Sequence, residues 1–237
     1  MTPGNERDQA APQLPNSASA AIDRRNGLLF GASNPLIYFA IPVAYIRVVQ
    51  AALCDQLGAS ATVANLPASA YLLGAIMPFV LFWIVPHRLV RVTVVVANLV
   101  TTALLAGVGL ALIYPFSNPV RLLAVIGQEL IQGFSASTFQ VFKYQCPRRG
   151  TTVEGRVRAM KWTFTFGPIA AILGSLWAQF VLNGGIASLA YPYDFACLYL
   201  ISAPSMATVA LLSWLYRLEP IEEEPESPLP STSWQAR

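Results

Sequence analysis

Apolar residues in this chain come in long, nearly unbroken runs. They show neither the strict alternation of a half-buried strand nor the narrow stripe of a surface helix. Six runs recur: Leu28 to Leu53, Leu66 to Val85, Val92 to Tyr114, Pro119 to Lys143, Trp162 to Leu182 and Phe195 to Tyr216. Each approaches or exceeds the roughly twenty residues that cross a bilayer core. Short polar turns separate them: DQLGASAT (Asp55 to Thr62), PHRLVR (Pro86 to Arg91), PFSNP (Pro115 to Pro119), a basic stretch from Lys143 to Lys161, and a connection holding NGG (Asn183 to Gly185) and Tyr191 to Asp194. Pro, Gly and Asn at these places are turn formers. The pattern predicts an all-α polytopic membrane protein, with six transmembrane helices spread over residues 27–217. The short alternating segments of a membrane β-barrel are absent from the pattern. Residues 1–26, polar and of mixed charge, read as a disordered cytoplasmic tail with no signal-peptide pattern. Residues 218–237, acidic and proline-rich, read as a disordered tail or an inter-half linker.

Composition agrees. The chain is 55% hydrophobic and 11% charged, where a soluble domain has about a quarter of its residues charged. Its net charge of +3 says little; the placement of charge says more. Arg24, Arg25, Arg88, Arg91, the 143–161 cluster and Arg217 fall on one side of the predicted spans, and Arg121 falls on the other. The positive-inside rule then puts both termini in the cytoplasm of a multi-pass protein of the inner or plasma membrane. Arg148 to Lys161 reads as an anchor on anionic headgroups of the membrane lipids. A nucleic-acid partner is not expected, because the cluster is tethered to the membrane and carries no such motif. Trp83, Trp162, Trp177 and Trp214 read as interfacial anchors.

The fourth run breaks the apolar rule. Gln128, Glu129 and Gln132 sit near its middle, followed by Gly133, Ser135, Ala136 and Ser137. A carboxylate at that depth costs a few kcal/mol or more, and small residues let another backbone approach. Gln128 and Gln132 are four apart and share a face, so the stripe should not face lipid. In the first run, Arg47 either snorkels to the outer headgroups or lines a cavity as a cation for an anionic solute or an acid. Glu129 is either a protonated acid bonded to a neighbouring helix or a group that couples protons or solute. The glutamines either join that site or glue helices together. Gly133, Gly167 and Pro168 read as positions of close helix approach and bending, and His87 as a solvated surface residue. With one histidine, no H-E-x-x-H, no phosphate loop and no nucleophile–base set, neither an enzyme nor a cofactor is expected. Cys54, Cys146 and Cys197 are scattered and predict neither a disulfide framework nor a metal site.

Three local patterns carry a resemblance. Trp83 to Val92, WIVPHRLVRV, is similar to the G-x-x-x-D-R-x-G-R-R between spans two and three of the major facilitator superfamily. Arg88 and Arg91 match; Trp83, His87 and Val90 stand where that family has glycine, aspartate and glycine. Glu129 to Ser137, ELIQGFSAS, resembles R-x-x-Q-G-x-G-A-A of its proton-coupled members, with Gln132, Gly133 and Ala136 matching and Glu129 in place of the arginine. Gly167-Pro168 and Gly174 keep part of the glycine- and proline-rich fifth span of antiporters. Together with the span count and the charge pattern, residues 28 to about 220 resemble the N-terminal half of such a transporter.

The resemblance implies two three-helix repeats of inverted topology, opened by Asn34-Pro35 and Asn118-Pro119. Spans one and four would face a central cavity, with Arg47, Gln128, Glu129 and Gln132 as substrate or coupling residues. His87, Arg88 and Arg91 would form a cytoplasmic gate. The implied function is secondary transport of a small solute by alternating access, driven by a proton or solute gradient. That family has twelve spans, so a second half is implied, either as a homodimer or as a missing C-terminal half, covering a polar stripe that a lone half would leave facing outward. The other reading is a non-transporting six-span scaffold or assembly factor. It fits the incomplete gate pattern and the uncharged third span, which suits a helix facing lipid. Nothing in these patterns names the solute, its direction or the coupling ion.

Overall fold

The computed structural model describes residues 17–44, 48–186 and 189–218. Among them every regular element is helical: α1 (Ser17–Ala44), α2 (Val48–Gln56), α3 (Ala61–Ala64), α4 (Leu66–Gly74), α5 (Met77–Ile84), a 3-10 turn (His87–Leu89), α6 (Val90–Ile113), α7 (Asn118–Lys143), α8 (Gln145–Gly150), α9 (Val153–Leu182) and α10 (Tyr193–Trp214). Five stretches are long and apolar enough to cross a membrane: Ala20–Gln56, Ala61–Ile84, Val90–Ile113, Val153–Leu182 and Tyr193–Trp214. Helix α7, at 26 residues, has the length, about 39 Å at 1.5 Å per residue, but its polar stripe lowers its hydropathy.

Local chemistry sets the ends of these helices. Thr152 caps α9, its hydroxyl accepting from Gly155 N at 3.1 Å. Asp23, from α1, reaches the same end: its Oδ1 accepts from the Thr152 amide at 2.6 Å and the Thr152 hydroxyl at 3.1 Å. A carboxylate there also opposes the positive end of the helix dipole. After α9 the chain turns at Gly184 with φ +77°, a left-handed conformation that glycine adopts freely. Arg121 donates to the carbonyls of Leu112 at 3.1 Å and Tyr114 at 3.0 Å. It thus closes the C-terminal end of α6.

Three departures from the hydropathy reading have plain causes. The second run is segmented rather than one helix, with Pro67 and Pro78 each in the first turn of α4 and α5; proline lacks the amide a continuing helix needs, yet fits a first turn. Helix α9 begins at Val153, inside the basic stretch, because Arg156, Arg158 and Lys161 are good helix formers and bar only the membrane. Helix α1 begins at Ser17, within the stretch read as tail.

In the bundle, α1 lies along α9 and α10, α6 lies between α10 and α7, and α4 and α5 lie along α7. The third run is therefore not the outermost helix. Its most apolar stretch is 44% buried, against 17% for that of Ala61–Ile84 and 28% for that of α9. Helix α6 instead turns Asn98, Thr101 and Leu105 inward, and Thr101 Oγ1 lies 3.0 Å from Ser135 Oγ of α7.

One asparagine ties three segments at the end of the bundle that carries the basic residues. Asn26 is 3% exposed. Its amide donates to the carbonyls of Gly150 and Arg217, each at 2.7 Å, and its Oδ1 accepts from Arg217 N at 3.1 Å. Nearby, Cys146 sits in α8 with its thiol pushed up to about 12 by burial, so it stays protonated at neutral pH. Asn26→Ala strands two carbonyls and one amide, and we expect a loss of about 1–3 kcal/mol. Thermal unfolding in detergent measures it, and an unchanged midpoint would remove Asn26 as a clip.

Candidate functional site: a buried polar core

The polar stripe of α7 points into the bundle. Gln128 is 3% exposed, and Glu129 and Gln132 are 0% exposed. Hydrophobic α7 residues on the same side, Val125, Ala136, Phe139 and Phe142, are buried beside them, so packing of the apolar stripe carries the polar groups in with it. The chain covers this stripe by itself, contrary to the expectation that a lone half leaves it facing outward.

Glu129 is the hub. Its Oε1 accepts from Gln50 Nε2 of α2 at 3.0 Å and from Gln128 Nε2 at 3.0 Å. Gln50, itself 0% exposed, also donates to the carbonyl of Val43. Gln128 also donates to Gln132 Oε1, and Gln132 donates to the carbonyl of Ala44. The network thus binds the middle of α7 to the end of α1 and to α2. The Cys54 thiol and the Tyr199 hydroxyl lie within electrostatic reach of the carboxylate. Among the described residues, Gln50 Oε1, Gln128 Oε1 and the Tyr199 hydroxyl find no hydrogen-bond partner. A buried polar atom left so costs about 1–3 kcal/mol. A hydrated proton or a solute bearing N–H or O–H groups would satisfy those acceptors. The arrangement therefore gathers a carboxyl group and spare hydrogen-bond acceptors in one buried region.

A second polar cluster lies towards the basic end of α7. Lys143 is 1% exposed. Its Nζ donates to Asn34 Oδ1 at 2.7 Å and lies 4.9 Å from the ring centre of Phe30 and 5.1 Å from that of Phe139. Asn34 Nδ2 donates in turn to Phe30 O at 2.9 Å and to Thr163 Oγ1 at 3.0 Å. This joins α1, α7 and α9. Lys143 is not part of a solvated basic anchor, because its long stem turns inward; among the described residues no carboxylate pairs with it.

The remaining expected site residues are placed as follows. Arg47 lies outside the described residues, as does the side chain of His87. Arg88 is exposed. Arg91 is engaged structurally, donating to Tyr216 O at 3.0 Å and stacking 5.1 Å above Trp214. Gly133 is in backbone contact with Tyr71 of α4, and a Cβ on Gly167 would lie 2.9 Å from the Tyr38 ring of α1. Pro168 is exposed within α9. Sequence reasoning missed Gln50, Lys143 and Thr163 as interior groups; the signal for Gln50 and Thr163 was a polar residue inside an apolar run. Among the described residues, no three His, Cys, Asp or Glu side chains converge.

Compared with protein-family models, with curated proteins and with solved structures, the chain finds no match. What its own fold defines is a class: an all-helical protein with five stretches fit to cross a membrane, wrapped about a buried polar core.

Proposed function

We propose that this chain is a six-span transporter half, with α7 crossing the membrane as the fourth span beside the five apolar stretches, and that it moves a small polar solute by alternating access with proton coupling at Glu129. The carrying observation is the buried network of Gln50, Gln128, Glu129 and Gln132, since ionisable groups at membrane depth are retained for ion and solute pathways. Two packing facts support the inverted-repeat reading. The first to third spans are α1–α2, α3–α5 and α6; the fourth to sixth are α7, α9 and α10. Exchanging the two triplets maps the largest contacts onto one another: α1 meets α9 and α10, α7 meets α4 and α6, and α6 meets α10. The closest backbone approaches follow the same exchange, Gly74 and Gly133 joining α4 to α7, and Gly174 joining α9 to Phe39 of α1.

In this reading the basic end is cytoplasmic and holds both termini. A second half, as a homodimer or a separate C-terminal half, packs on the exposed faces of α4–α5 and α9. The test is the full chain in proteoliposomes with a trapped pH dye, under an imposed pH gradient, against a panel of small anionic, cationic and neutral solutes. We expect solute-dependent proton flux that drops to background in Glu129→Gln. That substitution keeps the shape and leaves an oxygen to accept from Gln50 and Gln128, and a melting point taken beside the flux shows that the fold is kept. Full flux in Glu129→Gln removes proton coupling from this residue. No flux with any solute, with another membrane protein copurifying in fixed ratio, makes the chain a scaffold instead.

A further inference from the structure

A cleft of about 590 Å³ runs between α1 and α9 on the outer surface of the bundle. Its floor on α1 is made of small residues, Gly27, Gly31 and Ala32, and its far wall on α9 includes Phe166 and Leu173. At its mouth stand Arg24 and Arg158, both exposed. Among the described residues neither guanidinium makes a hydrogen bond or ion pair. Asp23 shares the mouth, its Oδ1 held by the Thr152 amide and hydroxyl; two guanidinium groups against one carboxylate leave the mouth net positive.

We propose that this cleft binds one anionic glycerophospholipid, its phosphate between Arg24 and Arg158 and an acyl chain laid along the small-residue floor. Three facts select that occupant. The cleft is apolar along its length and net positive at one end, where Arg24 and Arg158 outweigh Asp23, which is the charge pattern of an anionic lipid in negative. Arg24 and Pro35, both lining it, are eleven positions apart, about 16 Å along a helix, and one leaflet of a bilayer core is about 15 Å thick. Trp162, which lines the cleft one helical turn inward from Arg158, is a residue type suited to the headgroup boundary. The proposal rests on membrane embedding with the basic end at one headgroup layer, and it does not depend on transport.

The experiment is native mass spectrometry of the delipidated full chain, titrated with dioleoyl phosphatidylglycerol and, separately, with dioleoyl phosphatidylcholine. Wild type should bind the anionic lipid in preference. Arg24→Gln/Arg158→Gln should lose that preference by roughly tenfold or more while still binding both lipids weakly. Gly31→Leu should plug the floor and weaken both; a Cβ at Gly31 meets only Trp162 Cβ, at 3.5 Å, so the backbone tolerates it. Should Gly31→Leu fail to fold, the two exposed arginines decide the matter alone, with a melting point checked for each. Equal binding of the two lipids by wild type overturns the proposal, as does an unchanged preference in the arginine variant. If Gly31→Leu alters self-association and leaves lipid binding untouched, the cleft is covered by a second copy and the lipid assignment is wrong.

Discussion

Gly133→Ala is expected to destabilise the protein by about 1–3 kcal/mol, although alanine is the better helix former by about 0.8–1.0 kcal/mol. Packing decides the sign. A Cβ on Gly133 would meet the Tyr71 carbonyl oxygen of α4, with the Tyr71 carbon at 2.8 Å and its Cα at 2.9 Å. These are backbone atoms and cannot rotate away, so α4 must move as a unit. The reciprocal contact is as tight: a Cβ on Gly74 would meet Leu130 O, and Phe134 N at 2.8 Å. Gly127, on the same helix α7, has nothing within 4 Å. Gly127→Ala should therefore be neutral or stabilise by up to about 1 kcal/mol. The double change Gly74→Ala/Gly133→Ala should cost less than the sum of the two, because helices parted for one methyl have room for the second. Unfolding in detergent by heat or denaturant measures all four. If Gly133→Ala matches Gly127→Ala, the two helices do not touch as described.

Hydropathy located the helices well where turn chemistry also punctuates the chain. The fourth run, read as Pro119 to Lys143, is α7 at Asn118–Lys143, because PFSNP stops one helix and starts the next. The sixth, read from Phe195, is α10 at Tyr193–Trp214. It fails where charge was taken as a loop signal, as at Arg156 to Lys161, because charge stops membrane insertion and not helix formation. The polar stripe was legible because Gln128, Glu129 and Gln132 lie within one helical turn of each other. Gln50 was not, since it meets Glu129 across 79 positions of sequence and a single run carries no record of that pairing. Lys143 was grouped with the basic stretch because a cation ending an apolar run is what the charge rule expects. Only the direction of its side chain distinguishes an anchor from an interior group, and that depends on what α1 and α9 offer it.

Lys143 gives the other large effect, and two substitutions separate its parts. Its environment is one amide oxygen and two ring faces. Taking an ammonium out of water costs several kcal/mol even after relaxation, and a desolvated cation–π contact returns about 2 kcal/mol. Its charge is thus buried near or below break-even. Lys143→Met keeps the length of the stem and its contacts with Phe30 and Phe139, removes the charge, and leaves Asn34 Oδ1 without its donor at about 1–3 kcal/mol. These terms offset, so the methionine variant should melt within a few degrees of wild type. Lys143→Ala loses the stem as well and opens a cavity beside two phenylalanines, and it should fall a further 2–5 kcal/mol or so below the methionine variant. Melting of the three proteins in one detergent is the test, and equal losses in both variants would mean that the charge itself holds α1 to α7. If methionine is tolerated, the amine contributes little to stability, and whether transport needs it becomes measurable in the same molecule. Flux in proteoliposomes that vanishes in Lys143→Met at an unchanged melting point would make the Lys143–Asn34 contact a working joint between α1 and α7; flux at the wild-type level would leave it a packing accident of a long side chain.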